Sequence, residues 1–241
     1  MRAAASSCQR ILSLWFQTLP TDRLERRQAG RSWRSPGRFH DGNSTDAEVR
    51  PRAVSGRIRN AERICALNAA AMKLGLRKGE ALADARARIP SLVVEEADEA
   101  ADACLLAALA DWCDRYTPLV ALDGADGLLL DITGCAHLFA REGEDGEARL
   151  AADCVSRLGA QGFSVRVGIA DTVGAAWAVA RFPGKGAGAP VAPVTIVPPG
   201  GAREAVAPLP LAALRLEEDA GARLERVGLK RVEDVLDRPR A

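Results

Sequence analysis

The sequence TPLVALDGADGLLLDITG, residues 117–134, decides the fold of this chain. Two apolar runs, at 118–122 and 128–132, flank the turn-forming sequence DGADG. Asp and Gly favour tight turns, and apolar runs on both sides of such a turn are typical of a β-hairpin. The segment is therefore predicted to form two antiparallel strands of a sheet.

Further strands and helices are predicted on both sides of this hairpin. Apolar runs predict strands within 10–16, 91–96, 163–170 and 194–197. Helical spacing and breaking residues predict helices over 60–76, 79–90, 95–115, 144–160 and 172–181, and two short helices joined at 227–230. A strand, an inserted helical unit, a helix, a hairpin, a helix and a final strand make a split β-α-β sheet of the ferredoxin type. The predicted fold class is mixed α+β.

Composition excludes several classes of protein. With 241 residues, 48% hydrophobic and 27% charged, the chain is long and apolar enough for a sizeable core in one or two domains. Its net charge of +1 gives no overall field that would attract nucleic acid. No run of about 20 apolar residues is present, so a cytoplasmic location is expected. The six cysteines and two histidines lack zinc-ligand spacing, which predicts reduced thiols and no metal.

One segment, 23–59, departs from this balanced composition. It carries ten arginines against four acidic residues, a local charge of +6, with Gly, Ser, Pro and Asn between them. This pattern predicts a loop or a mobile insertion. Trp33 and Phe39 among the arginines also suit single-stranded nucleic acid, which binds through charge and base stacking. A solvated loop without a ligand is the other interpretation.

Several segments in the same order resemble the Y-family (translesion) DNA polymerases. YTPLVALDGADGLLLDITGCAHLF, at 116–139, is similar to their palm motif, and NAAAMKLGLRKGEALADARARIPSLVV, at 68–94, to their fingers. RILSLWFQTLPTDRL, at 10–24, is closest to the ImuB-type branch, polymerase-like subunits of a bacterial mutagenic repair complex. The resemblance implies a ferredoxin-like palm with inserted helical fingers and a helix-hairpin-helix thumb. It divides the chain into palm (1–22 and 97–182), Arg-rich insert (23–59), fingers-like segment (60–96), linker (183–207) and partial thumb (208–241), with the little-finger domain absent.

The resemblance also identifies the positions that would hold the catalytic metals. The first strand of active family members ends in Asp-x-Asp, which falls here on Trp15 and Gln17, and the Asp-Glu pair at the hairpin falls on Asp126 and Gly127. Magnesium needs hard oxygen ligands, and two-metal transfer needs several carboxylates. Only Asp126 remains of these four positions, so an inactive catalytic centre that binds no metal cofactor is predicted.

The fingers residues that contact the nucleotide triphosphate are replaced as well. The family's Tyr and Arg fall here on Ala69 and Met72. Neither side chain can hydrogen-bond a phosphate strongly or carry a positive charge. We therefore expect no nucleotide site at these positions.

An active polymerase is the competing hypothesis, with Asp123, Asp126 and Asp131 as a rearranged Mg²⁺ site. Asp is also common in Gly-rich turns, because its side chain bonds to the local backbone. On that interpretation Asp123 and Asp126 shape the turn, and Asp131 caps the turn before Thr133 and Gly134.

The tail sequence RVGLKRVEDVL, at 226–236, resembles the helix-hairpin-helix of the polymerase thumb. There, backbone N–H groups can receive a DNA phosphate, with Gly228 allowing close approach and Lys230 and Arg231 adding charge. An ordinary two-helix turn capped by glycine is the simpler interpretation.

Taken together, the resemblance implies a non-catalytic scaffold that holds damaged or primer-template DNA and is induced by DNA damage. The implied partners are a replicative-type error-prone polymerase and a small RecA-like accessory protein. A sliding clamp is in doubt, because no Gln-Leu-x-Leu-Phe-like segment follows the thumb helices. A truncated fragment without function is a third hypothesis.

Overall fold

The computed structural model describes residues 9–30, 50–182 and 192–236. Within these ranges the strands are β1 (Ile11–Trp15), β2 (Arg52–Ile58), β3 (Ala61–Leu67), β4 (Val93–Glu96), β5 (Val120–Asp123), β6 (Gly127–Asp131), β7 (Arg166–Ala170) and β8 (Val194–Ile196). The helices are α1 (Leu19–Gln28), α2 (Ala69–Lys73), α3 (Leu82–Arg88), α4 (Glu99–Cys113), α5 (Gly146–Ala160), α6 (Val173–Arg181), α7 (Ala202–Val206), α8 (Glu218–Arg226) and α9 (Glu233–Leu236). Short 3-10 turns lie at Ala136–Phe139 and Leu211–Leu214. None of the helices in the described ranges is long and apolar enough to cross a membrane.

The described residues form two compact units. Unit 1 comprises 9–15, 108–156, 165–182 and 192–236, and unit 2 comprises 16–30, 50–107 and 157–164. Each unit has a sheet of its own, with strand order β5-β6-β1-β7-β8 in unit 1 and β3-β2-β4 in unit 2. The predicted mixed α+β fold is therefore confirmed. The predicted division into palm, fingers and thumb segments stays a prediction.

The sheet of unit 1 is built around β1, which pairs antiparallel with both β6 and β7. Ile11, Leu12 and Leu14 are buried, as expected for a central strand. Helix α6 packs closely on β7, because a Cβ at Gly168 would lie 2.3 Å from the carbonyl oxygen of Ala176. The predicted hairpin is confirmed as β5 and β6, which pair antiparallel across the turn.

Unit 2 differs from its predicted helical character. The helix predicted over 60–76 is wrong in its first half, which forms strand β3, and is right only for α2. The register between β2 and β3 shifts between Val54 and Ser55, so β3 carries an irregularity that breaks strict alternation. Its buried residues Ile64 and Leu67 consequently stand three apart, a spacing that mimics a helix. Gly75, with φ of +82°, follows α2 as predicted.

The prediction that 23–59 is a loop is wrong where the structure describes it. Helix α1 continues to Gln28 and β2 begins at Arg52. Arginines of this segment are structural, since Arg23 pairs with Asp102 at 2.6 Å and the buried Arg52 pairs with Glu95. Burial and ion pairing thus hold side chains that composition alone assigned to solvent. Trp33, Phe39 and the rest of 31–49 lie outside the described residues.

The segment predicted as a linker, 183–207, also contains regular structure. Strand β8 was expected there, but helix α7 was not. This five-residue helix has no side-chain cap hydrogen bond that would signal its start. Residues 183–191 lie outside the described ranges.

Candidate functional site

The end of β1 in unit 1 is the candidate site, because it brings together residues that are far apart in the chain. Trp15 lies directly opposite Gly127 on one side and Arg166 on the other. The turn between β5 and β6 places Asp123 and Asp126 beside the same strand end. The sequence-predicted positions Trp15, Asp126 and Gly127 therefore do meet, as the hairpin prediction required.

Both carboxylate oxygens of Asp126 are already hydrogen-bonded. The indole Nε1–H of Trp15 donates to Oδ2 at 3.0 Å, and Arg181 Nη2 donates to Oδ1 at 3.1 Å. Arg181 lies at the end of helix α6. An aromatic donor thus stands where the family's first strand supplies a carboxylate, and a guanidinium occupies the place next to Asp126.

The second carboxylate, Asp123, is held by two guanidinium groups. Its side chain is 6% exposed, with Arg215 Nη2 at 2.7 Å from Oδ1 and Arg181 Nη2 at 3.6 Å from Oδ2. The longer distance is an ion pair without a hydrogen bond. Arg181 consequently bridges Asp123 and Asp126.

Two tryptophan rings complete this arrangement. The guanidinium carbon of Arg181 lies 5.6 Å from the ring centre of Trp15 and 4.6 Å from that of Trp177, distances typical of cation–π contacts. Arg215 lies 4.9 Å from Trp177, and Arg166 lies 5.8 Å from Trp15. We call these five residues with Asp123 and Asp126 the arginine–tryptophan cluster.

The cluster is a partly buried network of paired charges, in which the side chain of Arg181 is 10% exposed and that of Arg215 is 44% exposed. Burial lowers the pKa of Arg181, and the neighbouring Asp126 and Asp123 carboxylates oppose that shift. Burial also lowers the pKa of Arg166. Arginine nevertheless stays protonated in proteins, so the cluster retains its positive charges at neutral pH.

These residues do not fit the two magnesium ions used in polymerase chemistry. Such ions need several carboxylates on adjacent strands, with free oxygen lone pairs. Here Trp15 offers no oxygen, and Asp123 and Asp126 already pair with arginine. Over the described ranges, no group of three or more His, Cys, Asp or Glu side chains is placed to hold a metal.

Gly127, the position predicted to match the family's second hairpin carboxylate, has little room for a side chain. A Cβ at this position would lie 2.7 Å from Arg181 Nη2 and 2.8 Å from the carbonyl oxygen of Asp123. Real Cβ atoms essentially never approach other heavy atoms so closely. Glycine at 127 and arginine at 181 are thus sterically linked.

The rearranged metal site of the competing hypothesis does not assemble. Asp131 pairs with Ile11 at the far end of β6, four residues from Gly127 and so about 13 Å away along the strand. Its carboxylate instead accepts a hydrogen bond from the backbone N–H of Thr133 at 2.9 Å, as expected of a turn cap. Hydrogen bonds from Thr133 hold the pKa of Asp131 below its usual value.

The other predicted catalytic and nucleotide positions lie in unit 2. The amide of Gln17 donates to the sulfur of Met72 at 3.8 Å, and Ala69 is the first residue of α2. The sulfur atom is a weak acceptor, so this contact adds little polarity.

In the tail, the predicted DNA-contact residues surround the turn between α8 and α9. Gly228 has φ of +88°, as a glycine cap requires. The backbone N–H groups of Lys230 and Arg231 both donate to the carboxylate of Asp234, at 2.8 and 2.9 Å. The backbone donors expected to receive a phosphate are therefore engaged within the chain. The Lys230 side chain is exposed, while Arg231 pairs with Glu233 at 3.1 Å.

Sequence reasoning missed the arginines of the cluster. Trp177 and Arg181 stand four apart on a predicted helix, a spacing that places them on one face. That spacing was the available signal for their contact. Arg215 carries no comparable signal, because it reaches Asp123 from 92 residues away.

Comparison with known proteins identifies the family. The model of the impB/mucB/samB family matches residues 44–181. Protein ImuB of Caulobacter vibrioides, from strains NA1000 / CB15N and ATCC 19089 / CIP 103742 / CB 15, is 51% identical over 168 residues, which cover 70% of this chain. The chain spans about a third of the length of these curated relatives, since the match covers 34% of each.

Solved structures share the fold at low sequence identity. DinB from Sulfolobus solfataricus superposes with a TM-score of 0.64 at 14% identity, covering 95% of this chain and 60% of that one. The insertion ternary complex of Dbh DNA polymerase gives 0.66 at 15% identity, covering 95% and 61%. The palm-like fold is thus that of the Y-family polymerases, and the chain belongs to the impB/mucB/samB family, as a homologue of ImuB.

Proposed function

We propose that this chain is a non-catalytic DNA-binding scaffold subunit of a DNA-damage-induced translesion synthesis complex. The observation that carries the proposal is the saturation of Asp126 by Trp15 and Arg181. The carboxylate at the position expected to bind metal is hydrogen-bonded to an indole and a guanidinium. A polymerase fold with this arrangement is suited to positioning other molecules. It is poorly suited to transferring nucleotides.

Charge balance within the cluster supports the absence of catalysis. Asp123 and Asp126 carry two negative charges, and Arg181 and Arg215 already supply two positive ones at hydrogen-bond distance. A divalent ion would add positive charge beside these guanidinium groups, and like charges repel. Metal binding would therefore require Arg181 to move.

DNA and two proteins are the proposed partners. The relatives named Protein ImuB support a place in a mutagenic repair complex, and the Dbh DNA polymerase complexes among the structural neighbours support a DNA-binding fold. On this proposal the chain holds damaged or primer-template DNA. It recruits a replicative-type error-prone polymerase together with a RecA-like accessory protein.

Primer extension with the purified chain tests the proposal directly. We expect no extension of a primed template with Mg²⁺ or with Mn²⁺, together with salt-sensitive DNA binding in a parallel titration. The matched control is Asp126→Ala, which should leave both readouts unchanged if the carboxylate is structural. Extension by the wild-type chain that disappears in Asp126→Ala would instead identify an active polymerase. No extension and no DNA binding would identify a fragment that cannot act alone.

A further inference from the structure

A two-stranded ribbon projects from the sheet of unit 2. Strands β2 and β3 pair along their whole length, but β4 pairs with β2 only from Arg52 to Ser55. Beyond Ser55 the hairpin continues for three residues on each strand, a length of about 10 Å, and of these residues Arg63 at the base forms a single bridge to Ala81. We call residues 56–63 the ribbon.

The tip of the ribbon is a tight two-residue turn. Arg59 and Asn60 have φ of +50° and +63°, so both adopt the left-handed conformation of a type I′ hairpin. This turn matches the twist of the two strands and keeps the ribbon narrow. Arg57, Ile58 and Arg59 are all exposed there, with Ile58 at 43%.

A second basic segment lies against the ribbon. The loop at 77–80 is fixed to β3 by backbone hydrogen bonds, from Gly79 N to Ile64 O at 2.8 Å and from Ile64 N to Glu80 O at 3.0 Å. Arg63 Nη1 also donates to the carbonyl oxygen of Gly79 at 2.8 Å. The loop thereby adds the exposed side chains of Arg77 and Lys78 to the same surface.

The combined surface carries more positive than negative charge, although Glu62 lies directly opposite Arg57 in the pairing of β2 with β3. The ribbon and the loop carry five cationic side chains and two carboxylates, Glu62 and Glu80. Glu80 lies within 3.4 Å of a further cation, Arg88. The five cations are Arg57, Arg59, Arg63, Arg77 and Lys78, and among the described residues none of them forms an ion pair.

We propose that the ribbon and the 77–80 loop bind the backbone of duplex DNA, with the ribbon entering a groove. The major groove of B-DNA admits a two-stranded β-ribbon, and arginine and lysine side chains along its walls neutralise phosphates. Single-stranded nucleic acid fits less well, because residues 56–63 and 77–80 contain no aromatic side chain on which a base could stack. Ile58 at the tip provides an apolar contact for the groove floor.

This inference rests on the proposed function only in that the chain acts on DNA. It assigns a duplex contact to unit 2, whereas the sequence prediction placed the phosphate contact at Gly228, Lys230 and Arg231 in unit 1 and offered the segment 23–59 only as a site for single-stranded nucleic acid. The two assignments can therefore fail separately.

The test is a binding titration of the full chain on a labelled duplex of about 20 base pairs, repeated from about 50 to 200 mM salt. The ribbon variant is Arg57→Ala with Arg59→Asn, because asparagine tolerates the left-handed conformation at 59. The control is Arg115→Ala with Arg141→Ala, which removes two exposed charges from unit 1. A second variant, Arg77→Ala with Lys78→Ala, changes the loop without altering the ribbon.

We expect the ribbon variant to bind roughly tenfold more weakly and to reduce the slope of log affinity against log salt by about 2, or about 0.9 per lost phosphate contact. The loop variant should show a similar loss, and the control should bind like the wild-type chain. Equal losses in the ribbon variant and the control would overturn the inference. So would a ribbon variant that binds like the wild type while Lys230→Ala with Arg231→Ala does not.

Two further measurements distinguish duplex DNA from single-stranded DNA and from an acidic polypeptide. Tighter binding to a single strand than to the duplex, lost in the ribbon variant, would overturn the groove contact. Displacement of the duplex by polyglutamate at the same charge concentration would also overturn it, because an acidic protein would then serve equally well. A wild-type chain that binds no duplex overturns both this inference and the DNA-binding part of the proposed function.

Discussion

Two groups of arginines in this molecule illustrate how environment assigns a role to the same side chain. In unit 1, Arg181 is 10% exposed, pairs with Asp123 and Asp126, and stacks on Trp15 and Trp177. In unit 2, Arg57 and Arg59 of the ribbon lie in solvent, and the half-buried Arg63 donates to the carbonyl oxygen of Gly79. A buried guanidinium with fixed partners contributes to folding, whereas an exposed one without partners can take a ligand without breaking an existing contact. The number of arginines in a segment such as 23–59 does not show which of them are buried and paired and which are exposed.

Removing Arg181 should have the largest effect on stability. Arg181→Ala leaves Asp126 with only its indole donor and weakens the pairing of the buried Asp123, which should lower the free energy of unfolding by about 3 kcal/mol. Urea unfolding of the full chain measures the change. Arg57→Ala is the matched control and should change stability by less than about 0.5 kcal/mol. Equal losses of unfolding free energy in the two variants would contradict the difference between the buried arginine of unit 1 and the exposed arginine of unit 2.

Because Gly127 and Arg181 are in close contact, substitutions at the two positions should have coupled effects on the free energy of unfolding. Gly127→Ala should destabilise the chain by about 2 kcal/mol, because its Cβ would overlap the guanidinium and the Asp123 carbonyl oxygen. Gly174→Ala on α6 is the control, since nothing lies within 4 Å of its added Cβ, and it should stabilise by roughly 0.5–1 kcal/mol.

A double-mutant cycle separates the two overlaps at Gly127. Part of the loss should disappear in the Arg181→Ala background, where only the backbone overlap with Asp123 remains. Strictly additive effects of the two substitutions would contradict the link.

Asp22, a buried carboxylate in unit 2, should make the stability of the chain depend on pH. Burial raises the pKa of Asp22 to about 7, although Thr18 and the Ser164 amide donate hydrogen bonds to it. The folded state therefore binds the proton more tightly than the unfolded chain, where the pKa is about 3.9. Stability is highest below that value and should fall as pH rises from about 4 to about 7.

The expected slope from Asp22 is up to about 1.4 kcal/mol per pH unit. Asp22→Asn should remove this contribution, because the amide keeps an acceptor oxygen and carries no charge. Urea unfolding of both forms at several pH values isolates the difference. Parallel stability curves for the two chains would show that Asp22 does not titrate in this range.

The tail variant should produce the smallest effect. Lys230→Ala with Arg231→Ala removes one exposed cation and one that already pairs with Glu233. The salt slope of DNA binding should therefore fall by about 1, half of the change expected for the ribbon. A larger change than that of the ribbon variant would move the main DNA contact to the tail.

Much of the sheet in unit 1 could be predicted from sequence, because its strands are short apolar runs bounded by turn residues. The hairpin at 120–131 and the buried strand β1 are examples. In the sheet of unit 2, β4 was predicted but β2 and β3 could not be, because a register shift in β3 disguised its period and β2 lies in a segment rich in arginine. Local pattern does not reveal that the buried Arg52 finds its partner at Glu95.

The candidate site, like the two sheets, could be predicted from the sequence only in part. The positions Trp15, Asp126 and Gly127 follow from motif comparison, since each lies within a recognisable strand or turn. The arginines that close the site come from a helix end and from the segment after Leu214, and their contacts join residues 55 and 92 positions apart. Contacts of that range depend on tertiary packing, which a single sequence does not display.

The crowding at Gly127 also constrains how this lineage can change. A side chain at 127 requires the guanidinium of Arg181 to shift, and losing Arg181 alone leaves Asp126 without its guanidinium partner, while Asp123 keeps Arg215. Substitutions at 127 and 181 are therefore tied to each other, and a change at one position is expected to be accepted more readily when the other has changed too.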